Sequence, residues 1–173
     1  MQIRQYLLAV FLLLGFIPLS IAAKLSDAEI FAIFDQANTA DIETGQLGIL
    51  KGDSDAVREL GKMVVRDHTA VRQMARDIAK DISLTPKLPQ GDKGGEAHKT
   101  VLKHLKVLSG KEFDKAYLLH EIEFHTNAIN AIKNVLIPNT ECVRFKELAN
   151  KVLPGFEHHL SETRRVAKEL GVL

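Results

Sequence analysis

From Ser26 onward, apolar positions recur every three or four residues in four long runs, the period of helices that bury one face. The first run, Ile33, Ala37, Ala40, Leu47 and Leu50 with Glu43 in phase, follows Ser26-Asp27-Ala28-Glu29. That tetrad is a capping box, in which Ser26 and Glu29 each satisfy a free backbone amide of the other. Gly52 ends the run, and the weak helix formers Asn38, Thr39 and Gly45 leave room for a break or kink before Asp41. Asp53-Ser54-Asp55 offers side-chain acceptors to the start of a second helix, whose stripe is Val57, Leu60, Val64, His68, Val71, Ala75, Ile78 and Ile82. The third run, Phe113 to Ile132, projects Tyr117, Glu121, His125, Ala128 and Ile132 from one side. A fourth, capped by Asn139 or Thr140 after Pro138, carries Phe145, Leu148, Ala149, Val152, Phe156, His159, Val166 and Leu170. Pro154-Gly155 lies in its middle and predicts a kink or a split.

Between Ser83 and Lys111, Pro86, Pro89 and the Gly91–Gly95 cluster interrupt regular structure. Val101, Leu102, Leu105 and Leu108 then mark a short extra helix, whose other face carries Lys99, Lys103, His104 and Lys106 and reads as solvated. Two helical hairpins joined by one long connection give an all-α, ferritin-like four-helix bundle with that extra helix in the link between the second and third helices. A simple up-and-down bundle is the other wiring open to these runs. The absence of Trp and the Ala-rich, aliphatic pattern favour helices over a β-sandwich or barrel.

Residues 1–23 have one basic residue, an apolar run from Leu7 to Ile17, Pro18, and small residues at Ser20, Ala22 and Ala23. This is the pattern of a secretory signal peptide, leaving residues 24–173 as one exported, periplasmic or otherwise extracytoplasmic domain with no stable membrane insertion. Acids and bases nearly balance, which argues against nucleic acid as a partner. Other partners are unknown from the sequence, and a homo-oligomer stays open. Cys142, the single cysteine, stands three residues before Phe145 and reads as a small core residue rather than half of an intermolecular disulfide.

Each apolar stripe also carries a metal-ligating side chain: Glu43, His68, Glu121 with His125, and His159. Imidazole nitrogen and carboxylate oxygen suit a transition metal ion such as iron, zinc, manganese or copper, and bundle cores are where such donors are brought together. Asp67, Tyr117 and Glu157 are candidates to orient them. Counted from Pro138, Glu121 stands at the height of His159 better than His125 does. His98, His104, His120 and His158 fall toward polar faces or flexible chain. Phosphate-binding glycine loops, GxSxG, CxxC and HExxH are absent, so hydrolase chemistry has no support.

The segments SDAEIFAIFDQAN, IETGQLG, MVVRDHT, FDKAYLLHEIEFH and VLPGFEHHL, in this order, resemble the exported bacterial family known as domain of unknown function 4142, which is regarded as ferritin-like. The resemblance covers about Ser26 to Leu170. It implies a ferritin-like fold and places the family pattern on Glu43, His68, Phe113-Asp114, Tyr117, His125, Leu153-Pro154 and His159. It implies no established activity, and enzyme or non-enzyme stays open. Two readings follow: an exported bundle holding a transition metal through inward-facing His and Glu, or a non-catalytic envelope protein whose buried His and Glu form a closed hydrogen-bond network.

Overall fold

The computed structural model describes residues 24–173; the expected signal peptide lies outside the described residues. The helices are α1 (Asp27–Lys51), α2 (Asp55–Asp81), α3 (Gly94–Val107), α4 (Gly110–Ala131), α5 (Ile137–Asn139) and α6 (Val143–Glu169), with a π-helical stretch, Ile132–Leu136, linking α4 to α5. None of the described helices is long and apolar enough to cross a membrane.

The predicted capping box forms. Ser26 Oγ accepts from the Glu29 amide at 3.3 Å, and the Glu29 carboxylate accepts from the Ser26 amide at 2.9 Å. Ser54 caps α2 through the Val57 amide. The turn between α1 and α2 is also held from outside by Asp114 on α4, whose two oxygens accept from the amides of Asp53 at 2.8 Å and Ser54 at 2.9 Å. Asp114 is buried, so these charge-assisted bonds, at the positive end of the α2 dipole, tie the first hairpin to the second. Asp114→Ala is expected to destabilise the fold by about 3 kcal/mol, since each bond to a charged group contributes about 1.5–3 kcal/mol. Urea unfolding checks this, with Asp114→Asn losing less because one acceptor survives.

α1 runs unbroken through Asp41. Its buried face is Ile30, Phe34, Asn38, Asp41, Gly45 and Gly48, not the expected stripe: Leu50 is 79% exposed and Glu43 is exposed. Apolar residues surround α1, so periodicity selects no face. Close helix approach does. A Cβ on Gly61 would stand 2.6 Å from the Gly45 carbonyl oxygen, and one on Gly45 would stand 2.9 Å from Val65 Cγ2, so only glycine at both positions lets α1 and α2 come this near.

α1 packs on α2 and α4, and α2 packs on α6, which packs on α4. The order round the bundle is therefore α1, α2, α6, α4, the wiring of a bundle with one long connection rather than an up-and-down one. α3 climbs beside α1, bonded through His98 to Glu43 at 2.8 Å and through the Lys106 carbonyl to Lys51 at 2.7 Å. It thereby delivers the chain to the far end of the bundle, and every neighbouring pair of long helices runs antiparallel.

Pro138 brings no N–H to the carbonyl four residues back. The chain there widens, with the Ile137 amide bonding to the Ile132 carbonyl five residues back. Pro154 does not split α6. It and Gly155 are exposed, and the carbonyl it frees belongs to exposed Asn150, where water can satisfy it. Cys142 packs against the core but is half-buried rather than buried. Two apolar clusters fill the bundle. One gathers Phe31, Phe34, Phe145 and Phe156, with Phe145 4.8 Å from Phe31 and 5.3 Å from Phe34 between ring centroids. The other gathers Val57, Leu105, Phe113, Tyr117 and Val166. A polar layer lies between them.

Candidate metal centre

Four helices each contribute one donor to that layer: Asp41 from α1, His68 from α2, His125 from α4 and His159 from α6, all between 0% and 2% exposed. His68 Nε2 stands 3.2 Å and His125 Nε2 3.3 Å from His159 Nδ1. Asp41 Oδ2 is 2.8 Å from His68 Nε2 and 3.4 Å from His125 Nε2. The ring of Phe156, 4.8 Å from that of His68, borders the layer on one side.

The far side of each ring fixes its tautomer. Asn38 donates its Nδ2 to the Phe34 carbonyl, which leaves its Oδ1 to accept from His68 Nδ1 at 2.9 Å. The Glu121 backbone carbonyl, which can only accept, takes the proton of His125 Nδ1 at 3.0 Å. Asp67 accepts from His159 Nε2 at 3.1 Å and is itself gripped by Arg66. Each imidazole thus donates outward and keeps a lone pair inward, the arrangement that orients histidine ligands. Three imidazole lone pairs then face one another without a ring proton between them. Asp41 Oδ1 and Oδ2, both oxygens of Glu121 and the Tyr117 hydroxyl are buried with no hydrogen-bond partner among the described residues.

Burial holds His68 and His159 at about 4, the charge of Asp67 working the other way in both, and pushes His125 well below its usual range together with the neighbouring rings. All three are neutral at pH 7. Burial raises Asp41 to about 7, the nearby Glu121 and Thr44 side chains partly offsetting it, and burial beside Asp41 raises Glu121 well above a normal carboxylate. Burial also raises Asp67, but Arg66 and His159 outweigh it and keep that carboxyl low.

Of the residues expected from the sequence, His68, His125 and His159 come together, and Glu121 lies beside them, its carboxylate 3.6 Å from His125 Nδ1. Glu43 does not. It faces out of the bundle onto His98, correcting its expected inward orientation. Two residues along a helix is about 200 degrees of rotation, so Asp41 occupies the side opposite Glu43. The height argument also fails. α5 and the turn at Thr140–Cys142 carry the chain past Pro138 before α6 begins, which brings His125 level with His159. His104 and His158 are exposed as expected, while His98 and His120 are half-buried between helices.

Asp41 and Asn38 were not legible as site residues from periodicity. The signal that finds them is the row Asn38, Asp41, Gly45, Gly48, Gly52, spaced three, four, three and four, which marks the closely packed face of α1.

The residues present fit a metal ion: two buried sets, His68 with His125 and His159, and Asp41 with Glu121 and His125, each bring their donor atoms within 4.8 Å of one another. The segments around these donors match the model of a family described as domain of unknown function DUF4142, over residues 19–166. The chain belongs to that family. No curated protein and no solved structure matches it. DUF4142 membership thus attaches no activity to the site, and its chemistry has to be argued from the donors themselves.

Proposed function

We propose that this DUF4142 protein is an exported, ferritin-like helical bundle that retains a transition metal ion in its core, the ion joining the two hairpins through one ligand from each long helix. The observation that carries this is the convergence of three outward-locked imidazoles on one point. A closed hydrogen-bond network needs a donor facing each acceptor, and here the three inward ring nitrogens are all acceptors, more than the one nearby Asp41 carboxyl can serve. A cation supplies what they lack. Burial of all four donor residues supports ion retention rather than turnover, because catalytic sites keep an open position and structural sites do not. Export follows from the signal-peptide pattern of residues 1–23. Iron, zinc, manganese and copper are the candidates, and His68, His125 and His159 would hold the ion with a carboxylate.

Elemental analysis of untagged protein, compared with a His68→Ala/His125→Ala double variant, tests the proposal. About one metal per chain, lost in the variant, is the expected result. Protein from metal-replete medium that carries no metal, with the variant showing a stability loss alone, overturns it in favour of the non-catalytic envelope protein.

A further inference from the structure

We infer that the centre takes a single divalent cation of tetrahedral preference, bound by His68 Nε2, His125 Nε2, His159 Nδ1 and Asp41 Oδ2, with Glu121 as an uncoordinated carboxylate that balances its charge. This rests on the metal reading above and names its ion class, its oxygen ligand and the role of Glu121.

Donor spacing decides the geometry. Ligands about 2.0–2.1 Å from a tetrahedral ion stand about 3.3–3.4 Å apart, whereas neighbouring ligands of an octahedral ion at the same radius stand about 2.9 Å apart. Three of the measured separations are 3.2, 3.3 and 3.4 Å, and the fourth, from Asp41 Oδ2 to His68 Nε2, is 2.8 Å. Three of the four measured separations therefore stand at tetrahedral spacing and one at the shorter value, and complete burial of the donors disfavours the waters that a six-coordinate ion such as Mg²⁺ keeps.

Charge decides the valence. The three imidazoles are neutral because each inward nitrogen is a lone pair. Two carboxyl groups, Asp41 and Glu121, stand within the layer, while Asp67 at its edge is paired with Arg66, so the layer offers two negative charges to an ion. A divalent ion is the charge that two carboxylates can balance in full, and a second divalent ion would leave an excess of positive charge, costly in the interior. Glu121 need not reach the ion to balance it. Its carboxylate lies 3.6 Å from His125 Nδ1, on the outer side of that ring, where it helps the Glu121 carbonyl hold the ring's proton outward.

Co²⁺ titration of metal-stripped protein, followed in the visible spectrum, tests this. One equivalent with the intense bands of a tetrahedral ion is expected. Glu121→Gln should keep stoichiometry and band pattern while weakening affinity about 10- to 100-fold, the usual effect of losing an outer-shell partner, whereas Asp41→Asn should lose the intense bands. Two equivalents, the weak bands of a six-coordinate ion, or a Glu121→Gln spectrum altered like that of Asp41→Asn would overturn the inference and leave metal binding standing. Failure of the wild type to take up Co²⁺, Zn²⁺ or Fe²⁺ overturns the metal reading itself and this inference with it. Stoichiometry and band intensity are read on the wild type, so they decide even if Asp41→Asn does not fold.

Discussion

Stripping the proposed ion from the folded protein is expected to lower its thermal midpoint by about 10 °C or more. An ion that binds the folded chain alone stabilises it by about 4 kcal/mol at a thousandfold excess over its dissociation constant. For a domain of this size each kcal/mol moves the midpoint by about 2–4 °C. The ion's absence also leaves Asp41 buried without a partner, and unpartnered buried polar groups are costly. Because the donors come from α1, α2, α4 and α6, the loss should be felt by the whole bundle as one transition. Calorimetry before and after chelation, with metal restored to the same sample, measures it. An unchanged midpoint through both steps contradicts the metal clamp.

The metal-free protein should be most stable near pH 6.5 and lose stability on both sides, whereas the metal-loaded protein should gain stability from acid up to neutral pH and hold it above. His68, His120 and His159 have folded values of about 4 against 6.5 unfolded, all lowered chiefly by burial, and His125 is lower still. Between those limits the unfolded chain binds more protons at these rings, so stability falls as pH drops through the window. For the fully buried His68 this is about 3 kcal/mol.

Asp41 and Glu121 act oppositely. Asp41 is raised by burial from 3.8 to about 7 and Glu121 is raised well above 4.5, so the folded chain binds the extra protons, and stability falls as pH rises from 3.8 to about 7 for Asp41 and on to higher pH for Glu121. More rings than acids titrate below 6.5, so the histidines dominate there; above it the acids alone remain. With the ion bound, both carboxylates are held ionised and the alkaline loss disappears. Unfolding free energy across pH 4 to 9, with and without metal, checks both curves. A metal-free protein whose stability still rises above pH 7 would contradict buried, protonated acids in the polar layer.

The positions of His68, His125 and His159 on buried faces follow from local pattern, because α2, α4 and α6 each carry a face that the three-and-four period picks out. Asp41 does not, because α1 is apolar on most sides and its packing face is marked by glycines, which carry little hydropathy. Glu43 kept the right helical phase for the wrong stripe. Its partner, His98, is on α3, some 55 residues away, and nothing in either residue's neighbourhood announces the pairing.

By itself, the amino-acid sequence determined the four long helices, the Ser26–Glu29 box, the long connection with its short helix, and three of the four converging donors. These depend on contacts within a few residues or on a period repeated over a whole helix. The tertiary structure decided the fourth donor, the tautomers of all three rings and the level at which His125 meets His159. Those depend on how each helix is rotated and slid against its neighbours. Gly45 against Gly61 and the widened turn before Pro138 set that rotation and slide, and a shift of one residue turns a side chain through about 100 degrees.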